Sequence, residues 1–288
     1  MRMMTSAAFD LSTYLKDRRA RVDAALRDAL PAPGDDDPGA LKEGMRYAVL
    51  QGGKRMRPMV TIAACEAVGG AADDALPPSC AVEMIHAYSL VHDDLPAMDN
   101  DLERRGLPTV HVKFGQANAI LVGDALLTHA FTVLASGLPG ARAAAAIGRL
   151  SHHAGIFGMV GGQALDLVYG QDIRDLEVLE RVHALKTGGL YAASGAMGAI
   201  AGGADSAGAE RLERWGLCFG IAFQHADDVL DDDQIALRPQ ALARVDALVR
   251  ECDDIAAAYG DRAAALRALS AWVAQRAHAA AAGDKAAD

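Results

Sequence analysis

The sequence predicts an all-α protein built as one helical bundle. Apolar residues recur at steps of four and seven, the period of a helix with one buried face. No segment shows the sustained alternation of a strand. Several segments are apolar nearly all round and end at Gly or Pro, which describes helices packed inside other helices. Length alone, at 288 residues, would suggest about two domains. No linker or internal repeat interrupts the helical segments, so a single domain over 1–288 is expected.

The first element rests on Leu11, Leu15, Val22, Leu26 and Leu30, one stripe of a helix whose other face is polar. The stretch 31–39, PAPGDDDPG, gathers turn formers, and its Asp35, Asp36 and Asp37 read as solvated loop rather than metal ligands. Helical segments are then expected over 40–50, 59–68, 79–95, 116–136, 141–168, 175–202, 208–232, 239–258 and 261–279. The segment ILVGDALLTHAFTVLASGL (120–138) is apolar enough on every side to be expected inside the protein. Thr187 to Ala204 carries no charge over a length that could span a bilayer. Its many glycines and few large apolar residues favour a tightly packed interior helix instead, so no stable membrane insertion is expected.

Composition narrows the function classes. Hydrophobic residues make up 51% and charged residues 23% of the chain, as in a soluble globular protein. A formal net charge of −10 argues against a nucleic-acid partner, which would need a dominant basic surface. Cys65, Cys80, Cys218 and Cys252 form no C-x-x-C pair and read as free thiols of a reducing compartment. The N-terminal stretch lacks the apolar run of a secretory leader, and a cytoplasmic protein is expected.

VHDDLPAMDND (91–101) places several aspartates at the end of an apolar helical segment. Pro96 should stop that helix just after Asp94 and return Asp99 from a turn, within reach of an ion shared with Asp93. Carboxylates at a helix C-terminus oppose the macrodipole, so a purely structural role is poorly motivated. A second cluster, FQHADDVLDDD (223–233), sets Asp227 and Asp231 one turn apart on one face, with Asp228 beside them and Gln224 a turn earlier. Gly216 and Gly220 extend that face backward and admit a neighbouring helix or a substrate. Two such clusters at one mouth would repel and raise each other's pKa unless cations neutralised them. Carboxylate oxygens select hard ions, and Mg²⁺ between carboxylates and substrate phosphates fits best.

Phosphate-binding cations should accompany such a site. GGKRMRP (52–58) carries Lys54, Arg55 and Arg57, and LERRG (102–106) adds Arg104 and Arg105. The planar forks of Arg and the point charge of Lys together suit a diphosphate. His86, two turns before Asp93, points toward the same region and can donate to phosphate.

GGKRMRP, HAYSLVHDDLPAMDNDLERRGLPTVHVKFG, GGQALDL, KTGGL and FQHADDVLD occur in the order and spacing of the trans-isoprenyl diphosphate synthases. The likeness covers about residue 10 to residue 233 and is greatest to the bacterial farnesyl diphosphate synthases. It implies the isoprenoid synthase fold, a bundle around a deep central cavity, and a homodimer. It also implies a Mg²⁺-dependent reaction: ionisation of an allylic diphosphate (dimethylallyl or geranyl), attack by isopentenyl diphosphate, and proton loss to the leaving diphosphate. Lys54, Arg57, His86 and Arg105 match the residues that hold isopentenyl diphosphate. Asp93, Asp94 and Asp99, with Asp227, Asp228 and Asp231, match the two metal-binding motifs. Arg104 matches a ligand of the allylic diphosphate, while Lys186, Thr187 and Gln224 match residues that line the developing cation.

Product length in this family depends on what blocks the cavity below the first motif. Tyr88, five residues and about 7.5 Å of helix before Asp93, resembles the floor of an enzyme making a fifteen-carbon product, with Ser89 beside it. One departure stands out. The family continues beyond the second motif with a long loop whose lysine closes over the allylic diphosphate, and here DDDQIALRPQALARVDALV runs almost at once into the next helix. That absence raises a second reading, a catalytically impaired subunit that binds or regulates an active paralogue. A terpene cyclase is a more distant third, because it would not need Lys54, Arg57 and His86.

Overall fold

The computed structural model describes residues 9–170 and 173–283; the first eight residues, read above for a leader, lie outside them. Helix α1 (Leu11–Ala29) begins at Asp10, whose side chain accepts from the backbone N–H of Thr13, the usual way to satisfy a free helix-end donor. It buries Val22 and Leu26, two of the residues of the expected stripe. Asp37 accepts from the backbone N–H groups of Lys42 and Glu43 and so starts α2 (Leu41–Leu50). Helices α3 (Met56–Val68) and α4 (Leu76–Asp93) follow, and α4 ends where Pro96 required.

At the centre lies α10 (Gly189–Ala201), with every residue buried. Around it pack α3, α4, α7 (Gly140–Ala154) and α11 (Ser206–Leu230). A Cβ on Gly216 of α11 would lie 2.1 Å from the Tyr191 carbonyl oxygen. Of the two occupants the glycine face admits, the neighbour at Gly216 is therefore a helix. Helices α12 (Arg238–Ala257) and α13 (Ala264–Ala281) cover the outer side of α11.

The structure corrects several expectations. LERRGLP folds as a minimal hairpin, β1 (Glu103–Arg104) with β2 (Leu107–Pro108), turning on Arg105 and Gly106 at φ 55° and 77°. Positive φ at both turn residues matches the twist of the strands. The segment 141–168 is two helices, because Gly155 and Gly158 break the chain between α7 and α8 (Met159–Tyr169). A Cβ on Gly158 would fall 1.9 Å from the His153 carbonyl oxygen, so only glycine fits that bend. The segment 175–202 is α9 (Leu176–His183), one π-helical turn over Ala184–Gly188, and α10.

The stretch expected to be enclosed, α6 (Gln116–Gly137), is an outer wall. It packs on α4 and α2 through Val122, Leu126, Ala130 and Leu134, yet leaves Ile120 and Leu121 47% and 54% exposed. Among the described residues α6 is the single helix long and apolar enough to cross a membrane, by length and composition.

Candidate active site

Helices α3, α4, α6, α8 and α11 and the π-helical turn line a cavity of about 650 Å³; the hairpin residues Arg104 and Arg105 line a smaller cleft on the other side of α4's end, with Asp94. Arg57, His86, Tyr88, Ser89, Asp93, Lys186, Thr187 and Gln224 all line it. Eight of the residues expected at the site are therefore in one place. Lys54 instead lines a second cavity, with residues of α1 and α13.

The first acidic motif folds back on itself. The backbone N–H of Asp99 donates to the Asp93 carbonyl over 2.8 Å, returning Asp99 to Asp93 as the proline turn implied. Burial raises the Asp93 carboxyl to about 6, with Asp99 and Asp94 adding to the rise against Lys186 and Arg104. Asp94 turns the other way. It is buried and accepts from Arg104 Nε at 2.9 Å and Nη2 at 2.6 Å, so it anchors the hairpin while Asp93 faces the cavity.

The second motif divides similarly. Burial raises the carboxyl of Asp227, with Asp231 adding to the rise and Arg276 opposing it. Asp228 points inward: its Oδ1 accepts from Gln224 Nε2 at 3.0 Å, and its Oδ2 lies 3.1 Å from His183 Nε2. Burial opposes its ionisation, yet His183 and Gln224 outweigh that and hold it below the ordinary carboxylate range. Asp231 caps α11 and is exposed. Gln224 also accepts from Thr187 Oγ1 at 2.8 Å, tying the π-helical turn to α11. Such a turn widens the helix locally, and it carries Lys186, whose Nζ sits 2.6 Å from Asp166 Oδ2.

The cationic side is equally crowded. Arg105 donates to the Gly52 carbonyl, bringing the hairpin turn against the GGKR loop. Gly53 beside it sits at φ 129°, a backbone conformation that favours glycine. Burial lowers the pKa of Arg105, and Arg55, Arg104 and Arg19 lower it further while Glu83 opposes. His86 is pushed well below its ordinary value by burial first and then by Arg57, Arg105, Arg104 and Arg55, which leaves a neutral ring with one N–H to donate. Arg57 lies 4.9 Å from the Tyr191 ring, and its buried Nε has no hydrogen-bond partner. Cations gathered this closely call for a polyanion. Arg55 is a correction to the proposed phosphate patch. It points into the core, held by Glu83 at 2.6 Å, Asp23 at 3.0 Å and the Val49 carbonyl at 2.7 Å.

The residues also fit a divalent cation. Asp93 and Asp99 on one motif and Asp227 and Asp231 on the other hold like charges close enough to raise a carboxyl pKa in each, the strain that a hard cation relieves.

The polyprenyl synthetase family model matches residues 38–234. The chain belongs to that family. Among its relatives, the heterodimeric geranylgeranyl pyrophosphate synthase large subunit 1 of Arabidopsis thaliana chloroplasts is 45% identical over 239 residues, 80% of this chain and 64% of the relative. A dimethylallyltranstransferase of Fischerella ambigua is 45% identical over 233 residues, 79% of this chain and 66% of its own length. This chain thus spans just under two thirds of the length of each of these two relatives. The crystal structure of an FPP/GFPP synthase from Zymomonas mobilis superposes with a TM-score of 0.84 at 36% identity, covering 92% of this chain and 98% of that one.

Three residues of this family member escaped sequence reasoning. Asp166 lies in the quoted GGQALDL stretch, but nothing in sequence pairs it with Lys186. His183, three residues before Lys186, has no spacing signal toward Asp228. Arg276 of α13 donates to Asp227 from 49 residues away. The connection after the second motif is short: Asp231–Gln234 and one 3₁₀ turn, Ile235–Leu237, lead straight into α12. Arg238 there pairs with Asp232.

Proposed function

We propose that this chain is a Mg²⁺-dependent trans-prenyltransferase that joins isopentenyl diphosphate to dimethylallyl or geranyl diphosphate and makes farnesyl diphosphate. The observation that carries this reading is the division of the site. A cation cluster with a neutral His86 lies on one side, ionisable Asp93 lies on the other, and Tyr88 and Ser89 line the cavity between them.

In this reading Arg57, His86, Arg105 and Lys54 hold the diphosphate of isopentenyl diphosphate. Asp93 and Asp99, with Asp227 and Asp231, hold Mg²⁺, which when bound supplies Lewis-acid neutralisation of the departing diphosphate oxygens. Asp94 and Asp228 act one step back, orienting Arg104 and Gln224. Arg104 orients the allylic diphosphate. Lys186, Thr187 and Gln224 present fixed polar atoms to the cationic carbon, where they act without reorganising. Tyr88, Leu95 and Met98 exclude water that would quench it. Tyr88 beside Asp93 supports a fifteen-carbon product, while the geranylgeranyl synthases among the relatives set twenty carbons as the alternative.

Homodimerisation is part of the proposal. Leu121 on α6 is 54% exposed, an apolar residue on the outer wall of the kind that a second copy covers. The short turn after Asp231 favours one second reading, a partner subunit for an active paralogue.

Chromatography of products from geranyl and farnesyl primers with isopentenyl diphosphate tests both. A fifteen-carbon product from geranyl diphosphate, with little extension of the farnesyl primer, is expected. No elongation alone, restored beyond the paralogue's own rate on mixing, would establish the partner reading instead.

A further inference from the structure

One hydrogen bond behind Gln224 of the cavity wall, His183 at the end of α9 meets His225 and Asp228 of α11. Each offers one nitrogen or oxygen atom, and the three atoms lie within 4.8 Å of one another. The residues are 5%, 0% and 8% exposed. Three of their buried atoms have no hydrogen-bond partner: Nδ1 of His183, Nδ1 of His225 and Oδ2 of Asp228. Buried polar atoms are seldom left so. His183 Nε2 comes within 3.1 Å of that oxygen without hydrogen-bond alignment. The two imidazoles stand edge to face, with centroids 4.7 Å apart. Glu180 stands behind His225, its Oε1 3.3 Å from Nε2, and is itself held by Arg244. A carboxylate in that position fixes a histidine ring for ligation.

Two imidazoles and one carboxylate suit Zn²⁺ or Co²⁺, whereas Mg²⁺ takes oxygen donors and water. We infer that His183, His225 and Asp228 form a second metal site, for a transition-metal ion, and that its occupation inhibits prenyl transfer. Bonds of about 2.0–2.2 Å to a tetrahedral ion set its donors roughly 3.4 Å apart, so the ligands close on the ion by small side-chain shifts. His183 directly precedes the π-helical turn Ala184–Gly188, a widened segment that can take up the movement. Asp228 also accepts from Gln224 Nε2 at 3.0 Å, and Gln224 accepts from Thr187 Oγ1 at 2.8 Å. An ion that draws Asp228 toward the histidines therefore disturbs both polar residues set against the cationic carbon. Only this inhibitory half rests on the prenyl-transfer reading.

Co²⁺ supplies the readout. It is titrated into the full-length protein in excess Mg²⁺ and inorganic diphosphate, which occupy the acidic mouth. Visible d–d bands of a low-coordinate Co²⁺ should saturate at one equivalent and be abolished by Zn²⁺. Co²⁺ affinity should fall about a hundredfold in His225→Gln and about tenfold in Glu180→Gln. Circular dichroism melts check both variants, and the milder Glu180→Gln decides if His225→Gln does not fold. Zn²⁺ should inhibit elongation of geranyl diphosphate, and His225→Gln, with its Mg²⁺-dependent rate retained, should escape that inhibition. No saturable bands in the parent protein, or bands of unchanged affinity in the variants, would overturn the site. Zn²⁺ inhibition equal in the parent and His225→Gln would overturn its inhibitory role. Bands without any elongation count against the prenyl-transfer reading and leave the metal site standing.

Discussion

Arg276 of the C-terminal helix donates to Asp227 of the second acidic motif, and its guanidinium lies 5.5 Å and 5.7 Å from the rings of Trp272 and Phe223. Helix α13, 49 residues further along the chain, thus supplies a cation to this motif. Asp227 is raised by burial and by Asp231, and Arg276, with Lys54, opposes that rise. Arg276→Gln should therefore lower the melting temperature of the metal-free protein. Adding Mg²⁺ with inorganic diphosphate should recover most of the loss, since the bound ion replaces the missing cation. Scanning calorimetry with and without those additions checks it.

Asp93 gives a pH prediction with a defined sign. Its carboxyl is raised to about 6 from an ordinary 3.8, so the folded protein holds a proton that the unfolded chain has released. Between those two values its contribution to stability falls as pH rises. Divalent ions compete with that proton, so Mn²⁺ affinity should climb through pH 6 and level off above it. Asp99→Asn removes one neighbouring negative charge and should move the inflection to lower pH. Titrating Mn²⁺ by electron paramagnetic resonance across pH 5 to 8 reads both effects.

Much of this site was legible because its chemistry is local in sequence. Asp93 to Asp99 and Gln224 to Asp231 declare their geometry through helix spacing and one proline. Their division of labour was not legible. Asp94 and Asp228 look like Asp93 and Asp227 in a sequence, and only the tertiary partners Arg104 and His183 turn them inward. Arg55 was misread for the same reason, since its partners Asp23 and Glu83 lie 32 and 28 residues away. The outer position of α6 escaped because an apolar helix reads alike whether it faces a core or a covered surface.

The Arg55 cluster carries a stability prediction. Arg55 and Glu83 side chains are 2% and 5% exposed, and neutralising Glu83 leaves the buried guanidinium with Asp23 as its one carboxylate partner among the described contacts. Glu83→Gln should cost about 3–5 kcal/mol, read as a lower urea midpoint. Truncating Lys54 beside it, on the surface, should cost within about 0.5 kcal/mol while weakening isopentenyl diphosphate binding.

Tyr88 is 6% exposed and stands edge-on to His92, with ring centroids 5.8 Å apart. Tyr88→Ala should open the cavity below Asp93 and shift the product toward twenty carbons or more. Chromatography of the hydrolysed products decides it. An unchanged product length would remove Tyr88 as the floor.

The central claim is that both acidic motifs grip one metal–diphosphate cluster. A crystal soaked with Mn²⁺ and a bisphosphonate, measured at the manganese edge, tests it most directly. The predicted map has anomalous peaks against Asp93 and Asp99 on one side of the inhibitor and Asp227 on the other. Peaks confined to the protein surface, with these carboxylates pointing away from the bisphosphonate, would contradict it.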